Sequence, residues 1–173
     1  MTAGARFSIV TPVMNGMPFV KDCVASIDQQ RNDDGVDVEH LVFDAGSTDG
    51  TREWLSANAK RATLVFERDR GQIDALTKAF QCATGDVFAW LNADDVLEPH
   101  ALARARAVLA RDERVVAVTG ACLFIDAHGA VLDVVAPPKS ALFSDLVAGI
   151  RNLQQPATFF RASAYRTVGG FDE

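Results

Sequence analysis

Asp86-Val87-Phe88-Ala89-Trp90-Leu91-Asn92-Ala93-Asp94-Asp95 is the stretch whose reading decides the fold. Gly85 opens it, and Val87 to Leu91 is apolar on both alternating faces. A strand with one solvated face alternates apolar and polar residues, whereas a continuous apolar run marks a strand covered by helices on both sides. The run ends in an amide and two carboxylates. In open α/β sheets ligands bind outside the carboxyl ends of the strands, so Asn92 to Asp95 lies where chemistry is to be sought.

Toward the N-terminus the same alternation of strand and helix repeats. Phe7 to Thr11 is an apolar strand that Pro12 stops. A helix from about Asn15, with Pro18 in its first turn, buries Val20, Val24 and Ile27. Val38 to Phe43 is a second strand, and Asp44-Ala45-Gly46-Ser47-Thr48-Asp49-Gly50-Thr51 a turn whose hydroxyls cap the helix carrying Trp54 and Leu55. Ala62 to Phe66 is a third strand, and the helix after Gly71 carries Ile73, Leu76, Phe80 and Ala83 on one face. Toward the C-terminus, Pro99 starts a helix with the stripe Leu102, Ala105, Val108 and Leu109. Val115 to Ile125 and Val131 to Val135 read as strands, antiparallel across the Asp126-Ala127-His128-Gly129 turn, and Gln154-Gln155-Pro156 as a loop before a Phe159-Phe160 strand. The expectation is one α/β domain over residues 1–173, doubly wound, with a sheet mostly parallel at first and mixed later.

Composition narrows the function. The length of 173 residues suits one core, and 49% hydrophobic with 23% charged residues is ordinary for a globular domain. A formal charge of -6 argues against a nucleic-acid partner, which needs a basic face. An anionic nucleotide can still be held by helix N-termini and a cation. Cys23, Cys82 and Cys122 have no metal-ligand spacing and read as buried free thiols of a reducing compartment. The N-terminus has no signal-peptide pattern, and Val115 to Ile125 is too short to span a bilayer. These features predict a cytoplasmic protein without a transmembrane segment.

Four strand-end loops share the ligand edge: Thr11 to Asn15, Asp44 to Ser47, Glu67 to Gln72, and Asn92 to Asp95. Three of them carry aspartate. Two carboxylates about 4 Å apart repel by roughly 4 kcal/mol at an effective dielectric near 20, so Asp94 and Asp95 call for a cation or a proton. Hard oxygen ligands suit Mg2+ or Mn2+ shared with substrate phosphates; the competing reading is a solvated turn before Pro99. Asp44 suits a base N–H or a ribose hydroxyl, against an Asx-turn into Gly46-Ser47. A phosphatase nucleophile would want a second aspartate where Gly46 stands. Arg68, Arg70, Gly71, Gln72 and Asp74 form a polar loop fit for phosphate or base, or equally a solvated charge cluster. His40 and His128 read as surface or turn residues, and His100 as an exposed helix residue. The chain has no G-x-x-x-x-G-K-[ST] loop and no glycine-rich turn after its first strand, which removes the P-loop and dinucleotide fingerprints.

In order and spacing, the blocks together resemble the family 2 glycosyltransferases with the GT-A fold, a Rossmann-like three-layer sandwich. Asp44 to Thr51 is similar to the family's D-[DGA]-G-S-T-D-G-T turn, and Asp69-Arg70-Gly71-Gln72-Ile73-Asp74-Ala75 to the D-x-G-Q-x-D-A segment of one subgroup. Trp90 to Asp95 resembles that subgroup's W-L-N-[AS]-D-D form of the D-x-D motif, and Gln155-Pro156 and Gly169 to Glu173 its later acceptor-side blocks. The resemblance implies transfer of a sugar from a nucleotide diphosphate-sugar to a hydroxyl of a glycan, lipid-linked or protein acceptor, with inversion. It places Thr11, Pro12, Asn15, Asp44, Arg68, Arg70, Gly71, Gln72, Asp74, Asn92, Ala93 and Asp94 toward the donor. Gln155 and Pro156 fall on the acceptor side, and Asp94 and Asp95 on Mg2+ or Mn2+. It also implies peripheral placement at the inner membrane face as one setting. Departures are Asn92 at the first acidic position of D-x-D, Ala45 in the nucleoside turn and Thr77 in the third helix. The family's catalytic base would lie beyond Glu173, the domain then lacking its C-terminal part, with Asp172 and Glu173 as candidates within the chain. Two alternatives stand beside this: a nucleotide-sugar-binding domain without turnover, and a sugar nucleotidyltransferase. The latter wants a glycine-rich, arginine-ending loop that Val13-Met14-Asn15-Gly16-Met17 is not.

Overall fold

The computed structural model describes residues 4–137 and 153–171. Strand β1 (Phe7–Val13) is buried almost throughout, with Phe7 and Ile9 packed on one side of the sheet and Val10 on the other. β2 (Val38–Asp44), β3 (Ala62–Phe66) and β4 (Val87–Trp90) run parallel to it. Between them lie α1 (Val20–Asp34), α2 (Thr51–Asn58) and α3 (Gln72–Cys82), and α4 (Ala101–Leu109) follows β4. The remainder comprises β5 (Ala117–Thr119), β6 (Cys122–Ile125), β7 (Val131–Val135), a 3-10 turn (Gln155–Ala157), β8 (Thr158–Arg161) and α5 (Ala162–Thr167).

The main sheet has the order β3-β2-β1-β4-β8-β5, with β8 antiparallel to both β4 and β5. Side-chain alternation along β4 builds the three layers. Val87 and Ala89 pack with Ile27 of α1 and Leu102 and Leu109 of α4, while Phe88 packs with Leu76 and Phe80 of α3. Phe80 and Phe88 stack with centroids 4.8 Å apart. The both-faces-covered reading of this strand is correct. So is the expected α/β sandwich with a mostly parallel sheet that turns mixed. Gly85 marks the entry to β4, where an added Cβ would lie 2.6 Å from Ser8 Oγ and 2.8 Å from Ser8 N.

Several local expectations fail for identifiable reasons. Pro12 does not end β1, because it stands opposite Phe43 in register and the strand runs on to Val13. α1 begins at Val20, not near Asn15. Asn15 is in the left-handed region (φ 56°), outside right-handed helical backbone, and the N–H groups of Asn15, Gly16 and Met17 tie this loop to side chains of the 47–51 turn. Ile73 and Val108, expected on buried stripes, are exposed, and Ala75 and Ala79 complete the α3 face instead. Val115 to Ile125 is not one strand. It breaks at Gly120, β5 joining the main sheet and β6 pairing with β7 in a two-stranded ribbon. The ribbon is antiparallel as expected, and Asp126 Oδ1 accepts the His128 and Ala130 N–H groups in its turn. Cys23 is a buried free thiol, but Cys82 is exposed and Cys122 half-buried. Among the described residues no helix is long and apolar enough to cross a membrane.

Candidate functional site

From β1 the chain passes to β2 and β3 on one side and then crosses to β4 on the other. The two central strands therefore diverge at a topological switch point, the place where open α/β sheets bind ligands. A cleft of about 280 Å³ opens there, lined by Pro12, Asn15, Gly16, Gln72, Asn92 and Asp94 among others. A second cavity of about 460 Å³ lies between α4 and the β5–β6 segment, lined largely by apolar residues such as Leu97, Val118, Leu123 and Phe159. Asp94 lines both, whereas Asp95 and Pro156 line only the larger one.

The cleft wall after β1 is stitched to the turn after β2. Asn15, in a left-handed conformation (φ 56°), donates its N–H to Ser47 Oγ (2.8 Å) and accepts the Thr48 N–H on Oδ1 (2.8 Å). Gly16 N–H donates to the buried Thr51 hydroxyl (2.9 Å) and Met17 N–H to Asp49 (2.9 Å). Gly16 lies so close to Val13 and Ala93 that an added Cβ would stand 2.6 Å from Val13 Cγ2 and 3.2 Å from the Ala93 Cβ. Ser47 and Thr51, whose hydroxyls are expected to cap their own helix, hold the neighbouring loop instead.

Asp44 is 1% exposed. Its Oδ1 accepts the Gly46 and Ser47 N–H groups (2.8 Å each), which is the Asx-turn reading. Its Oδ2 is buried and, among the described residues, meets no partner. A buried carboxylate oxygen without a donor is costly, so both readings of Asp44 survive in different oxygens. Thr11 is also fully buried, but its hydroxyl lies 3.0 Å from His40 Nε2, inside the core and away from the cleft. His40 is therefore not a surface residue. Burial, aided by the Arg31 charge, pushes its pKa down to about 3. His100 and His128 are exposed as expected.

On the α3 side, Gly71 N–H donates to Asp69 (2.9 Å). Asp74 accepts the Arg70 N–H and guanidinium (3.1 Å each) and pairs with Lys78 (3.2 Å), and these contacts hold its carboxyl down at about 2. Arg68 is exposed and lines neither cavity. Gln72 reaches across the cleft, its Nε2 donating to Asn92 Oδ1 (2.6 Å). Asn92 Nδ2 donates in turn to Gln155 Oε1 (3.3 Å), and Gln155 Nε2 to the Trp90 carbonyl (2.6 Å). Gln155 and Pro156 sit on a 3-10 turn, not in an open loop.

Asp94 is exposed to the cleft, and Asp95 is half-buried beside it. Burial and then the Asp94 charge raise the Asp95 pKa, against hydrogen bonds from Asn92 that lower it. A divalent cation relieves just this kind of strain, and Mg2+ is commonly held by one or two carboxylates together with substrate phosphates. Among the described residues no group of three or more His, Cys, Asp or Glu side chains could hold a metal. The carboxylate pair would therefore need oxygens from a ligand or from water to complete a cation's coordination. The loop beyond is pinned by two polar residues of α1 that sequence reading overlooked. Ser26 Oγ accepts the Leu97 N–H (3.0 Å), while Gln30 donates to the Glu98 carbonyl (3.1 Å) and accepts the Leu102 N–H (3.1 Å). Their signal was a Ser and a Gln four apart on the buried side of α1. Asp172 and Glu173 lie outside the described residues.

Against known proteins, the sequence profile of "Glycosyl transferase family 2" matches residues 8–135. A glycosyltransferase of uncharacterised activity from Nostoc sp. is 29% identical over 149 residues, covering 84% of this chain and 45% of that protein. A PGL/p-HBAD biosynthesis glycosyltransferase from Mycobacterium tuberculosis is 28% identical over 178 residues, covering 98% and 64% respectively. The chain therefore spans roughly half to two-thirds of the length of these relatives. Among solved structures, the mannosyltransferase PcManGT from Pyrobaculum calidifontis, in complex with GDP-Man and Mn2+, superposes with a TM-score of 0.70 at 25% identity, over 99% of this chain and 48% of its own. S. aureus TarS bound to UDP-GlcNAc shares the fold, with a TM-score of 0.68 at 17% identity over 94% of this chain and 47% of its own.

Proposed function

The chain belongs to glycosyl transferase family 2, and from that premise we propose that its switch-point cleft binds a nucleotide diphosphate-sugar with Mg2+ or Mn2+ for transfer of the sugar to an acceptor hydroxyl. The observation that carries the proposal is the position of Asp94, in the wall shared by the two cavities. The donor occupies the smaller, more polar cleft, and the acceptor approaches through the larger, apolar cavity beside Gln155 and Pro156. The Asp44 Oδ2 atom receives a donor group of the nucleoside, and Asn15 and Gly16 line the path to the diphosphate.

Transfer is a displacement at the anomeric carbon, with inversion. The acceptor oxygen forms its bond as the bond to the diphosphate breaks, and the acceptor proton passes to a base. Asp94 and Asp95 would hold a cation, which would supply charge neutralisation for the departing diphosphate. This chain's residues orient the donor and set the carboxylates. Ser26 and Gln30 fix the backbone behind them, and Asn92 moderates the charge on Asp95. The GDP-Man of PcManGT and the UDP-GlcNAc of TarS differ in base and sugar, so the donor is to be identified by experiment.

Thermal unfolding against UDP-, GDP- and dTDP-sugars, each with and without Mn2+, tests the reading. One donor at about a hundred times its Kd should raise the midpoint by roughly 5–10 °C in Mn2+, and by clearly less without it. No shift with any donor would count against the proposal.

A further inference from the structure

The three amides that meet across the cleft have a polarity that one backbone atom imposes. Leu91 donates its N–H to Val10 on the β1 side, so the adjacent Trp90 carbonyl points the other way, toward β8. The β4–β8 ladder pairs only Val87 with Arg161 and Phe88 with Phe160. At Trp90 the Gln155 side chain takes over, giving the carbonyl a donor at 2.6 Å. A carbonyl can only accept. Gln155 must therefore present Nε2 to Trp90 and Oε1 to Asn92, Asn92 must present Nδ2 to Gln155 and Oδ1 to Gln72, and Gln72 must donate.

We infer that Asn92 is a positioning residue, the middle link of a directional amide relay that couples the Gln155–Ala157 turn on the acceptor side to Gln72 at the start of α3 on the donor side. The inference rests on the donor-and-acceptor reading for its meaning, but its geometry stands without a ligand. It accounts for an amide where a carboxylate might be looked for beside Asp94 and Asp95. An aspartate at position 92 could accept from Gln72 but could not donate to Gln155. Turning the Gln155 amide over would only move the acceptor–acceptor contact to the Trp90 carbonyl. A side chain that joins both glutamines must donate to Gln155 and accept from Gln72, and the asparagine amide does so with two separate atoms. Gln72 and Asn92 line the smaller cleft and Pro156, next to Gln155, lines the larger cavity, so a change in the turn reaches the donor loop through Asn92.

A double-mutant cycle tests this in the absence of ligand. Gln72→Ala and Gln155→Ala are made singly and together, in the wild-type chain and in Asn92→Ala, and read by thermal unfolding. With Asn92 present, each single change should lower the midpoint by about 2–4 °C, and the pair should lower it by clearly less than the sum. In Asn92→Ala the two effects should add. Additive effects with Asn92 present would overturn the inference. A second readout is Mn2+ and donor affinity of Asn92→Asp. The relay predicts donor binding weakened by about three- to tenfold and no tighter Mn2+ binding. Tighter Mn2+ binding in Asn92→Asp would overturn the inference, because residue 92 would then be a ligand position. Should the wild type bind no nucleotide sugar, the proposed function fails, while the ligand-free cycle still decides the relay.

Discussion

The parallel half of the molecule, β1 to β4 with α1 to α4, and the two-stranded β6–β7 ribbon handle the same kind of apolar sequence in opposite ways. In the first, Phe7, Ile9, Val10, Val87 and Phe88 are at most 1% exposed, and even the loop N–H groups after β1 find side-chain partners. In the second, Phe124, Val131, Leu132 and Val134 are each more than half exposed on the β6–β7 ribbon. Burial at about 25 cal/mol per Å² of apolar surface stabilises the first half strongly and does little for the ribbon. The difference teaches that the switch-point edge is held by a core with helices packed on both faces of the sheet. The ribbon sits beside the larger cavity with much of its apolar surface exposed.

The largest test of that contrast is truncation of matched phenylalanines. Phe88→Ala, which removes the ring stacked on Phe80, should cost about 3–5 kcal/mol in urea unfolding, and an effect under 1 kcal/mol would break the comparison. Acid should expose the same core next. The folded-state pKa of His40 is pushed down to about 3 from its ordinary 6.5. The unfolded chain binds this proton first, so the stability contributed by neutral His40 is complete above pH 6.5. It should fall by about 1.4 kcal/mol per pH unit as pH drops through that value toward 3. A His40→Gln variant with the same slope would contradict it. Thr51→Val leaves the half-buried Gly16 N–H without its acceptor and should cost about 1 kcal/mol. It should also weaken donor binding, since the cleft wall loosens; unchanged affinity would show that the stitch between the two loops is dispensable. Smallest of all, Phe124→Ala on the ribbon should change stability by less than about 0.5 kcal/mol.

Sequence legibility followed the same divide. Periodicity revealed β4 and the strand-end loops because a both-faces-buried strand and its polar terminus are local patterns. It missed the late start of α1 and the burial of His40, because both depend on partners in other elements. The former needs Ser47, Asp49 and Thr51, and the latter needs Thr11 on the adjacent strand. Gln72, Asn92 and Gln155 were each singled out, but their contact joins residues 20 and 63 positions apart and has no local signature. Arg68 was a candidate because of its charge and position, and the fold leaves it exposed and outside both cavities.

The central claim is that the Asn92 to Asp95 strand end holds a nucleotide diphosphate-sugar through a cation. Calorimetric titration with the donor that most stabilises the protein tests it most directly, comparing the wild type with Asp94→Ala and Asp95→Ala, in Mn2+ and in chelator. The account predicts binding by the wild type in Mn2+, and a loss of at least about tenfold, or 1.4 kcal/mol, on chelation or in either variant. Equal affinity in Asp94→Ala, or in chelator, would contradict it.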